Sequence, residues 1–254
     1  GRGGAILDSD GGKIFRKRSA YQQLLRRHHI EFLDGVKAPV WSLERQWAYM
    51  ERLHSSFAVL SLSSLHLHLG DKVEAIETAR GCNVYGAELS KRYPERFAAL
   101  ASLPLPEISE STQEIRYCRE KLGIYGFALL TNYHGLYLGN EELDPVMEEL
   151  NRQPTLVTIH PTLPWKNTVR AAEELPGPVM EYFFETTRAA VNFTMTLLDS
   201  PCRNNSICCA PARASCTIRR AWTPSAGRCG SWKAPGTSSA TRCGTGRAAS
   251  ATPR

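Results

Sequence analysis

From Trp41 to Asn192 the apolar residues alternate between short continuous runs and stripes at helical spacing. After Ser42, the residues Leu43, Trp47 and Met50 recur at i, i+4 and i+7, which predicts a helix capped by the serine. The run at 57–62 (FAVLSL) predicts a buried strand. Asp71, with Glu74 three residues on, opens a helix carrying Val73, Ile76 and Ala79. Residues 97–101 predict the next strand, stopped by Pro104 and Pro106. Ser111 and Glu114 form a capping box ahead of Ile115, Cys118 and Leu122, and 125–130 reads as a strand. Asp144 and Pro145 supply an N-cap and a first-turn proline before Val146, Met147 and Leu150. Residues 155–159 predict a strand ending at His160-Pro161. Pro178 then opens a helix expected to turn Met180, Phe183, Phe184, Thr187 and Val191 toward the core.

The strand centres, near Ala99, Phe127 and Val157, lie about 30 residues apart, the length of one βαβ unit. Repeated units with continuous apolar strands predict a parallel sheet covered on both faces, either a barrel or a doubly wound sheet. Spacing does not choose between them. No G-x-G-x-x-G or P-loop follows any strand, which weighs against a nucleotide-binding version. The 254 residues are the usual size of one (β/α)8 barrel.

After Leu198 the pattern stops: the only large aliphatics are Ile207 and Ile218. Such a segment buries too little apolar area to offset its ordering entropy, so disorder is expected. Its composition resembles GC-rich coding sequence read out of frame, or a retained intron or alternative exon. The predicted division is an irregular N-terminus (1–19), an α/β domain (20–198) and a disordered, basic, cysteine-containing tail (199–254).

Charge and cysteine content divide at the same place. The net charge is +6, yet residues 202–254 hold nine Lys and Arg and no Asp or Glu, so the first 201 residues are net −3. Cys82 and Cys118 lie in the domain and read as small core hydrophobes, whereas six cysteines lie in the tail. None of the six is spaced C-x-x-C, and no His follows His160, so neither a zinc knuckle nor a disulfide framework is favoured. No apolar run approaches the roughly 20 residues of a membrane helix. No apolar stretch of secretory type follows the basic N-terminus, so a soluble, cytoplasmic protein is expected.

His160 is the strongest chemical candidate, because it ends a predicted parallel strand and a neutral imidazole there can ligate a divalent metal. Its bland counterpart is a strand-end histidine bonded to a loop carbonyl. His66 and His68 form an H-x-H, but in a loop, and read as structural or solvent-exposed. Asn132, Tyr133 and His134 follow another strand and would reach a barrel rim, to orient a small acid or simply to form a turn with Gly135 and Gly139. Trp165 reads as a pocket wall or a loop anchor. Arg188 suits a bidentate carboxylate clamp or an ion pair with Glu185.

Taken in order, these segments resemble a known family: 41–44 (WSLE), 58–64, 96–104, 130–139 (LTNYHGLYLG), 144–145 with 149–152, 159–162 (IHPT) and 185–188 (ETTR). The set is similar to the amidohydrolase-related family of the amidohydrolase superfamily, in the branch of aminocarboxymuconate-semialdehyde, methylsalicylate and resorcylate decarboxylases, over about residues 20–196. The resemblance implies a (β/α)8 TIM barrel of metal-dependent hydrolase type, with a divalent ion, zinc by expectation, at its C-terminal mouth. It implies non-oxidative decarboxylation, or in relatives hydrolysis, of a small unsaturated or aromatic carboxylic acid. Of the family's ligands only His160 carries over by motif, with Asn132, Tyr133, Trp165 and Arg188 as substrate-side candidates. An H-x-H is missing from residues 1–19, and the later His and Asp positions fall in the tail, so the barrel is expected to be incomplete and activity impaired. The alternative is an inactive truncated or frameshifted member acting only through protein association. A nucleic-acid binder using the basic tail is the weakest reading, and no nucleic acid or membrane partner is expected. Self-association stays open.

Overall fold

Each apolar run picked out by the hydrophobic pattern pairs in parallel with its successor. The computed structural model describes residues 20–33, 36–37, 41–62, 67–166, 175–197, 206–209, 216–219 and 231–233. The chain begins with α1 (Ala20–Arg27), the short β1 (Phe32–Leu33) and β2 (Val36–Lys37), and α2 (Leu43–Arg52). Next come β3 (Ala58–Leu60), α3 (Lys72–Arg92), β4 (Phe97–Ala99) and β5 (Ala101–Ser102). Helix α4 (Ile108–Tyr117) runs into a π-helical turn, followed by β6 (Gly126–Leu130), β7 (Asn132–Tyr133), β8 (Leu136–Tyr137) and α5 (Asp144–Asn151). Strand β9 (Leu156–His160) and α6 (Glu181–Leu197) precede β10 (Ser206–Cys209), β11 (Cys216–Arg219) and β12 (Ser231–Lys233).

Strand β3 pairs with β4, β5 with β6, and β6 with β9, all parallel. Residues 97–102 are one extended segment that changes neighbours half-way, so the strands form one arc. Phe127, Leu129, Val157 and Ile159 are buried beneath α4 and α5, each stabilising by roughly 1.5–3 kcal/mol. With period two, Ala128, Leu130, Thr158 and His160 take the opposite face. On that face Val59 is 51% and Leu156 42% exposed, and no closed barrel forms among the described residues. The expected (β/α)8 architecture is thus present as an arc.

Where 97–102 leaves β3, a side chain takes the place of a strand. Asn83 of α3 donates to the Ser102 carbonyl at 2.9 Å and accepts from the Ser102 amide at 2.8 Å. Its amide also donates to Glu114 Oε1 at 2.8 Å, and Glu114 in turn pairs with Arg80 at 2.7 Å. Arg119, also buried, donates to the Glu149 and Leu150 carbonyls that end α5.

Several local expectations are corrected. Ser111 does not start α4, which begins at Ile108 after Glu107. The Glu107 carboxylate pairs with Lys72 instead of capping, and Ser111 lies inside the helix with its buried hydroxyl unpartnered. Asp144 is the first residue of α5, not its cap, because a 3-10 turn capped by Asn140 precedes it. Asp71 caps α3 as expected, accepting from the Glu74 amide at 2.9 Å, yet Val73 is exposed. The buried stripe of α3 runs through Ala75, Ala79, Asn83, Gly86 and Leu89, because small side chains allow close approach; a Cβ on Gly86 would meet Ala99 Cβ at 2.8 Å. Helix α6 is rotated from its expected phase: Phe183, Phe184, Thr187 and Val191 are exposed, and Tyr182, Glu185, Thr186, Ala189 and Phe193 are buried.

In the tail, β10 extends the sheet parallel to β9, and β11 and β12 follow antiparallel. Composition predicts disorder there, but backbone pairing along the β9 edge needs neither apolar side chains nor a packed face. The N-terminus 1–19, His66 and the remaining tail positions lie outside the described residues.

Replacing Asn83 with Ala strips hydrogen bonds from a strand edge and a buried carboxylate. Asn83→Ala should lower unfolding free energy by about 2–3 kcal/mol, measured by urea denaturation.

Candidate active site

The chain leaves β6 through a tight hairpin. Strands β7 and β8 pair antiparallel, with His134 (φ +52°) and Gly135 (φ +90°) at the two turn positions. Two successive positive φ values are the signature of a type I′ turn, which suits Gly and is tolerated by His. Asn132 locks the turn by accepting from the Gly135 amide at 3.2 Å. On its other side the Asn132 amide lies 3.0 Å from each of Thr162 Oγ1, the Leu163 carbonyl and Glu185 Oε2.

Glu185 is fully buried, so its charge must be met by donors. Besides Asn132 it accepts from the Tyr137 hydroxyl at 2.7 Å and pairs with Arg188 one turn along α6. Burial, followed by the bond to Glu185, raises the pKa of Tyr137, which holds the phenol protonated as donor. Arg188 also donates to the Tyr137 hydroxyl at 3.3 Å, while its side chain stays half exposed. The carboxylate therefore ties together β7, β8, α6 and, through Asn132, the segment after β9.

His160 closes β9 opposite Leu130 of β6. Its Nδ1 lies 2.8 Å from the Pro161 carbonyl, and its ring meets Tyr182 edge-on at 5.9 Å. A proton on Nδ1 donated to this carbonyl leaves the lone pair on Nε2, the arrangement common among metal-ligating histidines. Thr131 and Thr162 pair their hydroxyls at 3.1 Å across the two strand ends. Trp165 is 54% exposed and its ring lies tilted against His134 at 4.8 Å, while the His134 ring meets His68 at 5.8 Å. His68 lies 3.4 Å from Glu107. Burial, and then the neighbouring His68, lower the pKa of His134.

All five candidates therefore gather at the C-terminal ends of β6 and β9, but in different roles. Arg188 and Trp165 face solvent, and His160 is half-buried. Asn132 is 1% exposed, with its amide engaged by protein acceptors. Tyr133 is buried likewise: its hydroxyl accepts the Leu130 amide at 2.9 Å, and burial raises its pKa. Sequence reasoning missed Tyr137, and it took Glu185 only as an ion-pair partner; the helical phase that buries Glu185 was the missing signal. No three His, Cys, Asp or Glu converge as a metal set among the described residues.

Comparison with known proteins fits this geometry, with the amidohydrolase family profile matching residues 28–203. The chain belongs to the amidohydrolase family. A 6-methylsalicylic acid decarboxylase of Aspergillus aculeatus is 32% identical over 163 residues, covering 63% of this chain and 49% of that protein. The crystal structure of an amidohydrolase II protein superposes with a TM-score of 0.69 at 30% identity, over 75% of this chain and 62% of the other. The 5-carboxyvanillate decarboxylase of Novosphingobium aromaticivorans, crystallised with manganese and a nitrobenzoic acid, gives 0.59 at 25% identity, over 64% and 47%. This chain spans about half the length of the curated relatives it matches. Membership of this amidohydrolase family implies a TIM barrel, of which the described residues form an arc.

Glu185→Ala leaves the Tyr137 hydroxyl without its acceptor, removes the ion pair of Arg188 and opens a void at a fully buried position, and should cost about 2–3 kcal/mol by urea denaturation. The lowered pKa of His134 means that the folded chain binds this proton less readily than the unfolded chain. Its contribution is complete above the ordinary histidine value of 6.5 and falls as the pH drops below it. The urea midpoint should thus decrease from pH 7.5 to 5.5, and less steeply in His134→Gln.

Proposed function

We propose that this chain carries the acid-binding side of a non-oxidative decarboxylase acting on a small aromatic carboxylic acid. The observation that carries the proposal is the position of Arg188: half exposed, against Tyr137 of the hairpin that follows β6, and held from behind by the buried Glu185. A guanidinium oriented by an inner carboxylate presents its outer N–H groups to a second, incoming carboxylate. His134, at the turn of the same hairpin, and Trp165, packed against it, supply aromatic faces for a planar ring. Asn132, Tyr137 and the Thr131–Thr162 pair hold these groups in register. In the reaction, the bond between ring carbon and carboxylate breaks, carbon dioxide leaves, and a proton takes its place on the ring. The named relatives, decarboxylases of 6-methylsalicylic acid and 5-carboxyvanillate, support this substrate class.

The manganese in a 25% identical relative supports a divalent ion in the complete site, manganese rather than specifically zinc. His160 is the candidate ligand among the described residues. One ligand falls short of the roughly three that a catalytic ion needs, so no step is assigned to a metal here. A purely associative role finds no support in the structure or among the relatives.

The test is product formation from 6-methylsalicylate and 5-carboxyvanillate, followed by chromatography and carbon dioxide release, with and without added manganese. Turnover is expected, with Arg188→Ala raising KM more than it lowers kcat. No turnover of either acid under any metal condition would refute the proposal.

A further inference from the structure

The three apolar clusters of the fold leave a space where they meet. Leu25 with Tyr21, Trp41 with Tyr85, and Leu60 with Leu100 line a cavity of about 180 Å³ between α1, α3 and the ends of β3 and β4. It shares no lining residue with the Asn132–Glu185–Arg188 network. Its walls come from separate packing units: Tyr21 and Leu25 belong to the α1 cluster, and Trp41, Leu60 and Tyr85 to the α2 cluster. Ala99, packed against the large central cluster, forms the third wall. Gly86 and Ala99 pack tightly in this wall, where a Cβ on Gly86 would meet Ala99 Cβ at 2.8 Å.

Among the described residues, the lining contains no Asp, Glu, Lys, Arg or His. The Asn83 amide is engaged by Ser102 and Glu114, and Gln22 donates to the Trp41 carbonyl at 3.0 Å. Burial pushes the Cys82 thiol up to about 12 and the Tyr85 phenol up to about 12, so both wall groups are neutral near pH 7. Trp41 and Tyr85 meet edge to face at 5.8 Å and form an aromatic side wall. A carboxylate placed here would lose its hydration without gaining a counter-ion, at a cost of several kcal/mol or more. Apolar cavities of roughly 150 Å³ take up benzene-sized molecules readily.

We infer that this cavity is a binding site for a neutral monocyclic aromatic molecule, and that it rejects the corresponding carboxylate. The inference is independent of the decarboxylase reading, because it rests on other residues and on binding alone. The test uses the full chain with three matched probes: toluene, p-cresol and p-toluate. Titration followed by saturation-transfer NMR should show saturable binding of toluene and p-cresol, with p-toluate at least about tenfold weaker. Ser61, an exposed lining residue, allows the cavity to be filled from its rim, and Ser61→Leu should weaken p-cresol binding at least about tenfold.

A second readout needs no variant. Cys82 lines the same cavity, so p-cresol at ten times its Kd should slow Cys82 alkylation by a small neutral reagent about tenfold, as followed by peptide mass mapping. Absence of saturable binding by either neutral probe, equal affinity for p-toluate, or an unchanged Cys82 rate at saturation would each overturn the inference.

Discussion

The register between β6 and β9 is the constraint from which the candidate site follows. Gly126 opposes Leu156, and Leu130 opposes His160, through five residue pairs. With side chains alternating at period two, a slip of one residue would send Val157 and Ile159 out of the core and His160 into it. Burial of Phe127, Leu129, Val157 and Ile159 against α4 and α5 therefore aligns the strand ends as well as stabilising the sheet. The Thr131–Thr162 pair and the hairpin after β6 build on that alignment.

A second constraint is the buried carboxylate of Glu185. Most of the interior is apolar, and an ionised group there persists only with donors in place. Asn132, Tyr137 and Arg188 provide them from three different elements. The same bonds that make the charge tolerable fix the orientation of Arg188 and the approach of α6. Stability and positioning at the strand ends are thus carried by one set of hydrogen bonds. The arrangement resembles Glu114 on the helix side of the sheet, where Arg80 and Asn83 meet a buried carboxylate and secure the strand at Ser102.

The arc is open toward β3, with Val59 and Leu156 about half exposed on its inner face. It is bordered on the other side by β10, whose pairing with β9 runs through backbone groups. Family membership implies a TIM-barrel architecture, of which the described residues form this arc. The described residues show the strand ends, the acid-binding candidates and one candidate metal ligand.

Much of this was legible in the residue pattern, for identifiable reasons. Continuous apolar runs near Ala99, Phe127 and Val157 mark strands, and their spacing of about one βαβ unit fits the parallel pairing found. The His-Pro at the end of the last run placed His160 at a strand terminus without further information, and the ordered motifs pointed to the family. Tertiary structure decided the rest. Helix α6 buries Tyr182, Glu185 and Phe193, not its Phe183 and Phe184, because its neighbour at that point is a polar cluster, and periodicity carries no phase when both faces hold apolar residues. The burial of Asn132 and Tyr133 was illegible for the same reason: their partners, Thr162, Glu185 and the Leu130 amide, include groups brought close only by strand pairing and helix docking. Local sequence sets which elements form, whereas the partners of a buried polar group depend on contacts distant along the chain.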